Sequence, residues 1–419
     1  MEFATFWGAA SIVLVGVFVL AFVMGAVANK TNFCTMGAVS DWVNINDLGR
    51  MRSWLLAIAV AILGVGIFEA MGWLSADGSF PPYRSGQFQW AEHLLGGLLF
   101  GVGMTLASGC GNKTLVRVGG GNLKSVMVVL IIAVIAYFMV ISPLPGTDQT
   151  LYSLLFYPWM NPLVVNVGSG QDIGSLLGGG FAVKLGAALV IAAALLFFVF
   201  KSKEFRTSRD NVLGGLVIGL VIVGAWWLTS NVVVGDDMGQ YTPREYVQEW
   251  DFLSEGDEVR PAQAGPWGNQ SFTFINPMGQ SLSFAANGFS SAYLFFGVVA
   301  FFGVILGSFF WAIVSKGFRI EWFASWRDFA NHAIGGVLMG FGGVLAMGCT
   351  IGQGITGIST LALGGFLTFI AIVFGAALTM KIQYYKLVYE EEASFVKALI
   401  TSLVDMRLLP KAFRRLEAV

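Results

Sequence analysis

Charge is scarce in this chain. Asp, Glu, Lys and Arg make up 12% of its 419 residues, and 24 basic side chains stand against 25 acidic ones. That balance leaves no basic excess to neutralise a phosphate backbone, so no nucleic-acid partner is expected. Histidine occurs twice and cysteine three times, at positions 34, 110 and 349. Three cysteines cannot all pair with one another and no CxxC occurs, so no disulfide framework or metal centre is expected. No phosphate-cradling glycine loop is present, which leaves the chain without a nucleotide to drive it and without a predicted cofactor. The first apolar run is too long for a signal-peptide core and follows no basic segment, since Met1 to Trp7 carry only Glu2. It reads as a retained span.

What the chain has instead is apolar sequence. Hydrophobic residues reach 56% and mean hydropathy is +0.73, with many runs near the length that crosses a bilayer. The 54 glycines suit close helix packing and broken spans. The expected fold class is an all-α polytopic membrane protein with about nine transmembrane helices, at 6–28, 54–74, 91–109, 125–142, 181–200, 212–231, 290–314, 331–349 and 364–385. With the N-terminus outside, twenty Lys and Arg fall on the inner side and only Arg84, Arg244 and Arg260 on the outer, with Lys184 in a span. The positive-inside rule therefore predicts an N-terminus out and a C-terminus in the cytosol.

One segment occurs twice. H-L-L-G-G-L-L-F-G-V-G-M-T-L-A-S-G-C from His93 to Cys110 returns as H-A-I-G-G-V-L-M-G-F-G-G-V-L-A-M-G-C from His332 to Cys349, in constant register. Such a match implies a duplicated unit. In the predicted topology one copy descends and the other ascends, so the repeat is inverted, as in transporters whose substrate site lies near the midplane. The expected organisation is a first repeat at 1–142 and a connecting segment at 143–211. A second repeat follows at 212–385, with an external loop at about 232–289, and then a cytosolic tail at 386–419. The external loop, acidic from Asp236 and Asp237 to Asp257 and Glu258, reads as solvated. The stretch 143–180 reads as interfacial, and Glu390–Glu392 with the basic sequence after them as an amphipathic surface helix.

Three short stretches are too apolar for solvated loops and too broken for spans: 32–43, 109–121 and 348–365. Broken backbone at membrane depth persists where it is buried in protein or lines a water-filled cavity. They are therefore expected to be short re-entrant helices, the first two approached from the cytosol and the third from outside. Their backbone N–H groups attract anions, and Gly109, Gly111 and Gly348 flank the cysteines. Asn32, Thr35, Asn112, Thr350 and Gln353 add neutral donors. Lys113 is the basic residue nearest a cysteine on the repeated motif, and either attracts an anion at the inner mouth or snorkels to the interface. Neutral thiols at Cys34, Cys110 and Cys349 are weak, soft donors that can greet a sulfur-bearing anion without holding it. His93 and His332 open the paired helices as anchors or as a symmetric gate. Glu69 is the one intramembrane acid that could couple transport to protons.

N-F-C-T-M-G-A-V-S-D-W around Cys34, A-S-G-C-G-N-K around Cys110 and A-M-G-C-T-I-G-Q-G around Cys349 resemble the YeeE/YedE family of bacterial inner-membrane sulfur-compound transporters. The resemblance covers most of the membrane-embedded chain. It implies import of thiosulfate through a pseudo-symmetric, hourglass-shaped protein, with the ion handed between cysteines by S–H···S hydrogen bonds. Carried onto this sequence, those cysteines are Cys34, Cys110 and Cys349. It also implies a multi-pass protein of the bacterial cytoplasmic membrane, with the bilayer, the small anion and a cytosolic sulfur-carrier protein as candidate partners. Two features depart from the pattern: the segment 232–289 is long, and aligning Gly25–Cys34 with Gly224–Val233 sets Val233 opposite Cys34. The resulting expectation is a non-enzymatic importer of a small sulfur-containing anion, most simply thiosulfate. A selenium compound as cargo, or a membrane sulfurtransferase working through a persulfide, stays open as the alternative. Import of a dianion against an inside-negative potential costs about 4–5 kcal/mol at 100 mV, which cytosolic consumption or a coupling ion must offset.

Overall fold

A computed structural model describes residues 1–236, 239–254, 258–389 and 393–417. Parts of the acidic stretch, Asp237 and Asp257 among them, lie outside those residues, as do Glu390–Glu392. Nine long helices carry the described structure: α1 (Phe6–Lys30), α3 (Gly49–Ala70), α4 (Trp90–Leu106), α6 (Leu123–Ala136, extended by a π-turn at Tyr137–Ile141), α7 (Phe181–Phe200), α8 (Arg209–Ser230), α10 (Phe296–Val314), α11 (Trp326–Leu345) and α12 (Leu363–Val388). Shorter helices intervene at α2 (Thr35–Ile45), α5 (Gly111–Gly119) and α9 (Ile275–Ala286), and α13 (Phe395–Asp405) follows α12. Eight segments are long and apolar enough to cross a membrane among the described residues. The ninth, α11, is 20 residues long, but Arg327, Asp328, Asn331 and His332 lower the hydropathy of its first turns.

The helices pack in matched pairs. α1 lies along α10 as α8 lies along α3, and α4 on α12 as α11 on α6. α1 meets α8, and α4 meets α11, across the centre. This is the packing of two units related by a two-fold axis, as a duplication gives. At the α4–α11 crossing the repeated glycines serve each other. A Cβ on Gly96 would lie 2.7 Å from the Gly342 carbonyl oxygen, and one on Gly103 2.7 Å from that of Gly335. Backbone meets backbone there, so no side chain can yield. Gly103→Ala is expected to destabilise the fold by about 1–3 kcal/mol through overpacking, read as a lowered melting temperature in detergent.

α2 packs on α3 and α12, and α9 packs on α10 and α6 in the corresponding way. The counterpart of the first cysteine helix is therefore α9, inside the stretch expected to be a solvated external loop. That expectation holds for neither the end nor the beginning of the stretch. Ile275, Pro277, Met278, Gly279, Gln280, Ser281 and Ser283 of α9 are buried. Val233, the residue set opposite Cys34 by alignment, instead sits in a short strand that pairs in parallel with Glu2 and Phe3. An aromatic cluster of Phe6, Tyr246, Trp250 and Trp267 closes that end of the molecule.

Helix ends differ from the hydropathy reading where capping decides them. α4 stops at Leu106 rather than 109 because Ser108 takes a left-handed φ of 57° and the Gly109 N–H closes back on the Met104 carbonyl at 2.9 Å. α11 starts at Trp326 rather than 331 because the Ser325 hydroxyl accepts the Asp328 N–H.

Candidate functional site

One local motif produces all three cysteine positions. A long helix ends, the residue two before the cysteine adopts a left-handed backbone (Asn32 at 51°, Ser108 at 57°, Met347 at 54°), and the cysteine opens a new helix. The following N–H closes on the carbonyl five residues back in each case: Phe33 to Ala28, Gly109 to Met104, Gly348 to Gly343. Cys34 and Cys110 are the N-caps of α2 and α5, and the Gly37 N–H donates to Cys34 Sγ at 3.5 Å. After Cys349 the helical segment runs over 350–359 and contains the π-helix Gly352–Gly357. The positive ends of three helices thus point back at three thiols.

All three cysteines are free and buried, and the fold brings them together. The side chains of Cys34 and Cys110 lie beside each other, although 75 residues separate them and no sequence pair announces it. A Cβ on Gly111, next to Cys110, would lie 3.6 Å from Cys349 Cβ. The Thr350 hydroxyl lies alongside Cys110 without the alignment of a hydrogen bond. Where Cys110 meets the Cys34 thiol, Cys349 meets the backbone of Phe274, just before α9.

The surroundings are polar and poorly satisfied. Thr35 Oγ1, Asn112 Oδ1 and Thr350 Oγ1 beside the thiols make no hydrogen bond among the described residues. The same holds for Gln353 Oε1, Thr273 Oγ1, Asn276 Oδ1 and the Tyr83 hydroxyl near Cys349. A buried polar atom left alone costs about 1–3 kcal/mol, so seven in one region point to a place where water or a polar cargo meets the protein. The Gln353 amide nitrogen, by contrast, is fixed by donating to the Ala346 carbonyl at 2.6 Å.

The two ends of this line differ in charge. At the Cys34 end, Lys113 donates to Asn32 Oδ1 at 3.2 Å and Arg117 to the Ser108 carbonyl at 2.7 Å. Arg50, paired with Asp41, lies against Gly37. At the Cys349 end a cavity of about 270 Å³ opens, with Thr273, Asn276, Gln280, Gly343 and Gly348 among its lining residues. Lys113 was legible from its spacing to Cys110. Arg50, Tyr83, Thr273 and Asn276 were not, because none is near a cysteine in sequence, and Arg117, seven residues after Cys110, carried no signal beyond its charge.

The histidines stand apart from the thiols. His93 Nδ1 is 2.8 Å from Thr368 Oγ1, and its other face packs on Gly364. His332 Nδ1 is 2.8 Å from the carbonyl and 3.0 Å from the carboxylate of Asp328. Those contacts fit anchors better than gates. Glu69, the intramembrane acid singled out in the sequence, is paired with Arg84 at 2.6 and 2.9 Å. Arg84 also donates to the Thr360 carbonyl at 3.0 Å, at the far end of the segment that begins at Cys349.

A family model described as sulphur transport matches residues 30–378. A thiosulfate transporter of Escherichia coli named TsuA is 24% identical over 365 residues, covering 84% of this chain and 89% of the relative. A thiosulfate transporter of the same name from Spirochaeta thermophila is 24% identical over 372 residues, covering 85% and 94%.

Proposed function

This chain belongs to the sulphur transport family, a membrane transporter of sulfur compounds, and from that membership we propose that its cargo is thiosulfate. The observation that supports the reading is the neighbourhood of three buried thiols, Cys34, Cys110 and Cys349, with the partly exposed basic residues Lys113, Arg117 and Arg50 near Cys34 and a cavity at Gly348 near Cys349. The names of the two relatives support thiosulfate over a selenium compound and support transport over persulfide chemistry.

The mechanism follows from hardness and charge. Thiosulfate carries three hard oxygens and one soft, weakly hydrated sulfur. The unpartnered Thr273 hydroxyl on the cavity wall can donate to those oxygens, and neutral S–H groups suit the sulfur. Three helix N-termini offset part of the dianion's charge without a fixed cation that would trap it. The basic cluster then receives the ion. With that cluster on the cytosolic side, as the distribution of Lys and Arg favours, the direction is import across the bacterial cytoplasmic membrane, with the N-terminus outside. In this reading residues 1–142 and 212–385 act as the two inverted units, and a cytosolic sulfur-carrier protein is the natural acceptor beside Lys113.

Proteoliposomes test this. Saturable uptake of labelled thiosulfate by the wild-type chain is expected; vesicles holding folded protein that take up none would reject the cargo.

A further inference from the structure

One apolar side chain packs against both a glycine of the cavity wall and the glycine beside Cys110. Ile275, the first residue of α9, is fully buried. A Cβ on Gly343, a cavity-lining residue, would lie 2.5 Å from Ile275 Cγ1. A Cβ on Gly111, beside Cys110, would lie 3.0 Å from Ile275 Cδ1. The side chain therefore fills the space from the cavity wall to the turn that carries the Cys110 thiol. Phe274 before it is likewise apolar and fully buried, but polar atoms lie close on both sides. Thr273 and Asn276 each present an unpartnered oxygen, and Thr35, Asn112 and Thr350 do so on the thiol side. Polar atoms near the cavity and polar atoms near the thiols are thus set apart at this point by the hydrocarbon of Ile275. The repeat explains how the step arose in only one half. α9 holds the position of α2, but it begins without the thiol that Cys34 gives α2.

We infer that Ile275 is a specificity-determining residue, an apolar step that an anion passes only by leading with a weakly hydrated sulfur. Sulfate matches thiosulfate in charge and shape but presents oxygen on every side. Each oxygen set against the Ile275 methyl groups loses water and gains no donor. The terminal sulfur of thiosulfate has little water to lose and meets the next thiol directly. This inference rests on the cysteines being the transport path.

The test compares uptake of labelled thiosulfate and labelled sulfate by the same proteoliposomes, for wild type, Ile275→Val and Ile275→Ser. The ratio of thiosulfate to sulfate uptake is expected to fall about tenfold or more in Ile275→Ser and by less, in the same direction, in Ile275→Val. An unchanged ratio in Ile275→Ser overturns the inference. Should that variant not fold, an unchanged ratio in Ile275→Val does the same. A second readout is independent of transport. With Cys110 as the sole cysteine, a membrane-impermeant maleimide added on the cavity side is expected to label it faster in Ile275→Ser than with Ile275 present, and equal rates count against the step. If Cys110→Ala and Cys349→Ala vesicles transport normally, the path itself falls. If they lose transport while the Ile275→Ser ratio holds, only the step falls.

Discussion

Cys110→Ala is expected to slow thiosulfate uptake by about ten- to a hundredfold while leaving the amount of folded protein near the wild-type level. Cys110 sits at the middle of the line, beside Cys34 on one side and beside Thr350, the residue after Cys349, on the other. A hydrogen bond to a charged group is worth about 1.5–3 kcal/mol, and each 1.4 kcal/mol is a factor of ten in rate. Removing one sulfur and its proton breaks the relay at its middle member. The void left behind is the size of a single sulfur atom, so the loss of packing is small beside the loss of the relay. Cys110→Ser is expected to lose uptake as well, since a hydroxyl binds oxygen strongly and greets sulfur poorly. Normal uptake by either variant, measured with labelled thiosulfate, would make Cys110 a packing residue.

Arg84→Ala carries the second large effect, on stability. The Arg84 side chain is 5% exposed and grips Glu69, itself 14% exposed, with two nitrogens. Its Nε holds the Thr360 carbonyl, and Asp77 adds a third acidic contact at 3.1 Å. Truncation strands the Glu69 carboxylate and the last carbonyls of the Cys349 segment together. Breaking a buried pair from one side costs about 3–5 kcal/mol, which is a large share of the stability of most folds. The exposed Asp77 contributes little. A sharp drop in the melting temperature in detergent is expected, with part of it restored by Arg84→Met combined with Glu69→Gln. If the single variant melts like wild type, the clamp is not holding the third cysteine segment.

These two sites divide what could be read from sequence from what could not. The cysteines, their flanking glycines and the inverted pair of helices were legible because a duplication writes the same residues twice, and His93 to Cys110 matches His332 to Cys349 without a gap. The left-handed residue before each thiol left no common letter, being Asn32, Ser108 and Met347 in turn. The Cys34–Cys110 contact depends on where α1 and α4 come to rest, and local pattern does not encode that. α9 was hidden for a different reason. Its I-N-P-M-G-Q-S-L-S-F sequence is polar enough to pass for loop, yet it is buried because the other half of the molecule supplies the wall around it. Arg84 was counted only as a charge on the minority side of the membrane, and its pairing with Glu69 had no local pattern to announce it.

We propose that the three thiols form one route. Labelled thiosulfate uptake is to be measured in a matched set of proteoliposomes carrying wild type, Cys34→Ala, Cys110→Ala and Cys349→Ala, each checked for folded protein. Saturable uptake by the wild type and a loss of about tenfold or more in every single variant are expected. Full-rate uptake by any one of the three would contradict it.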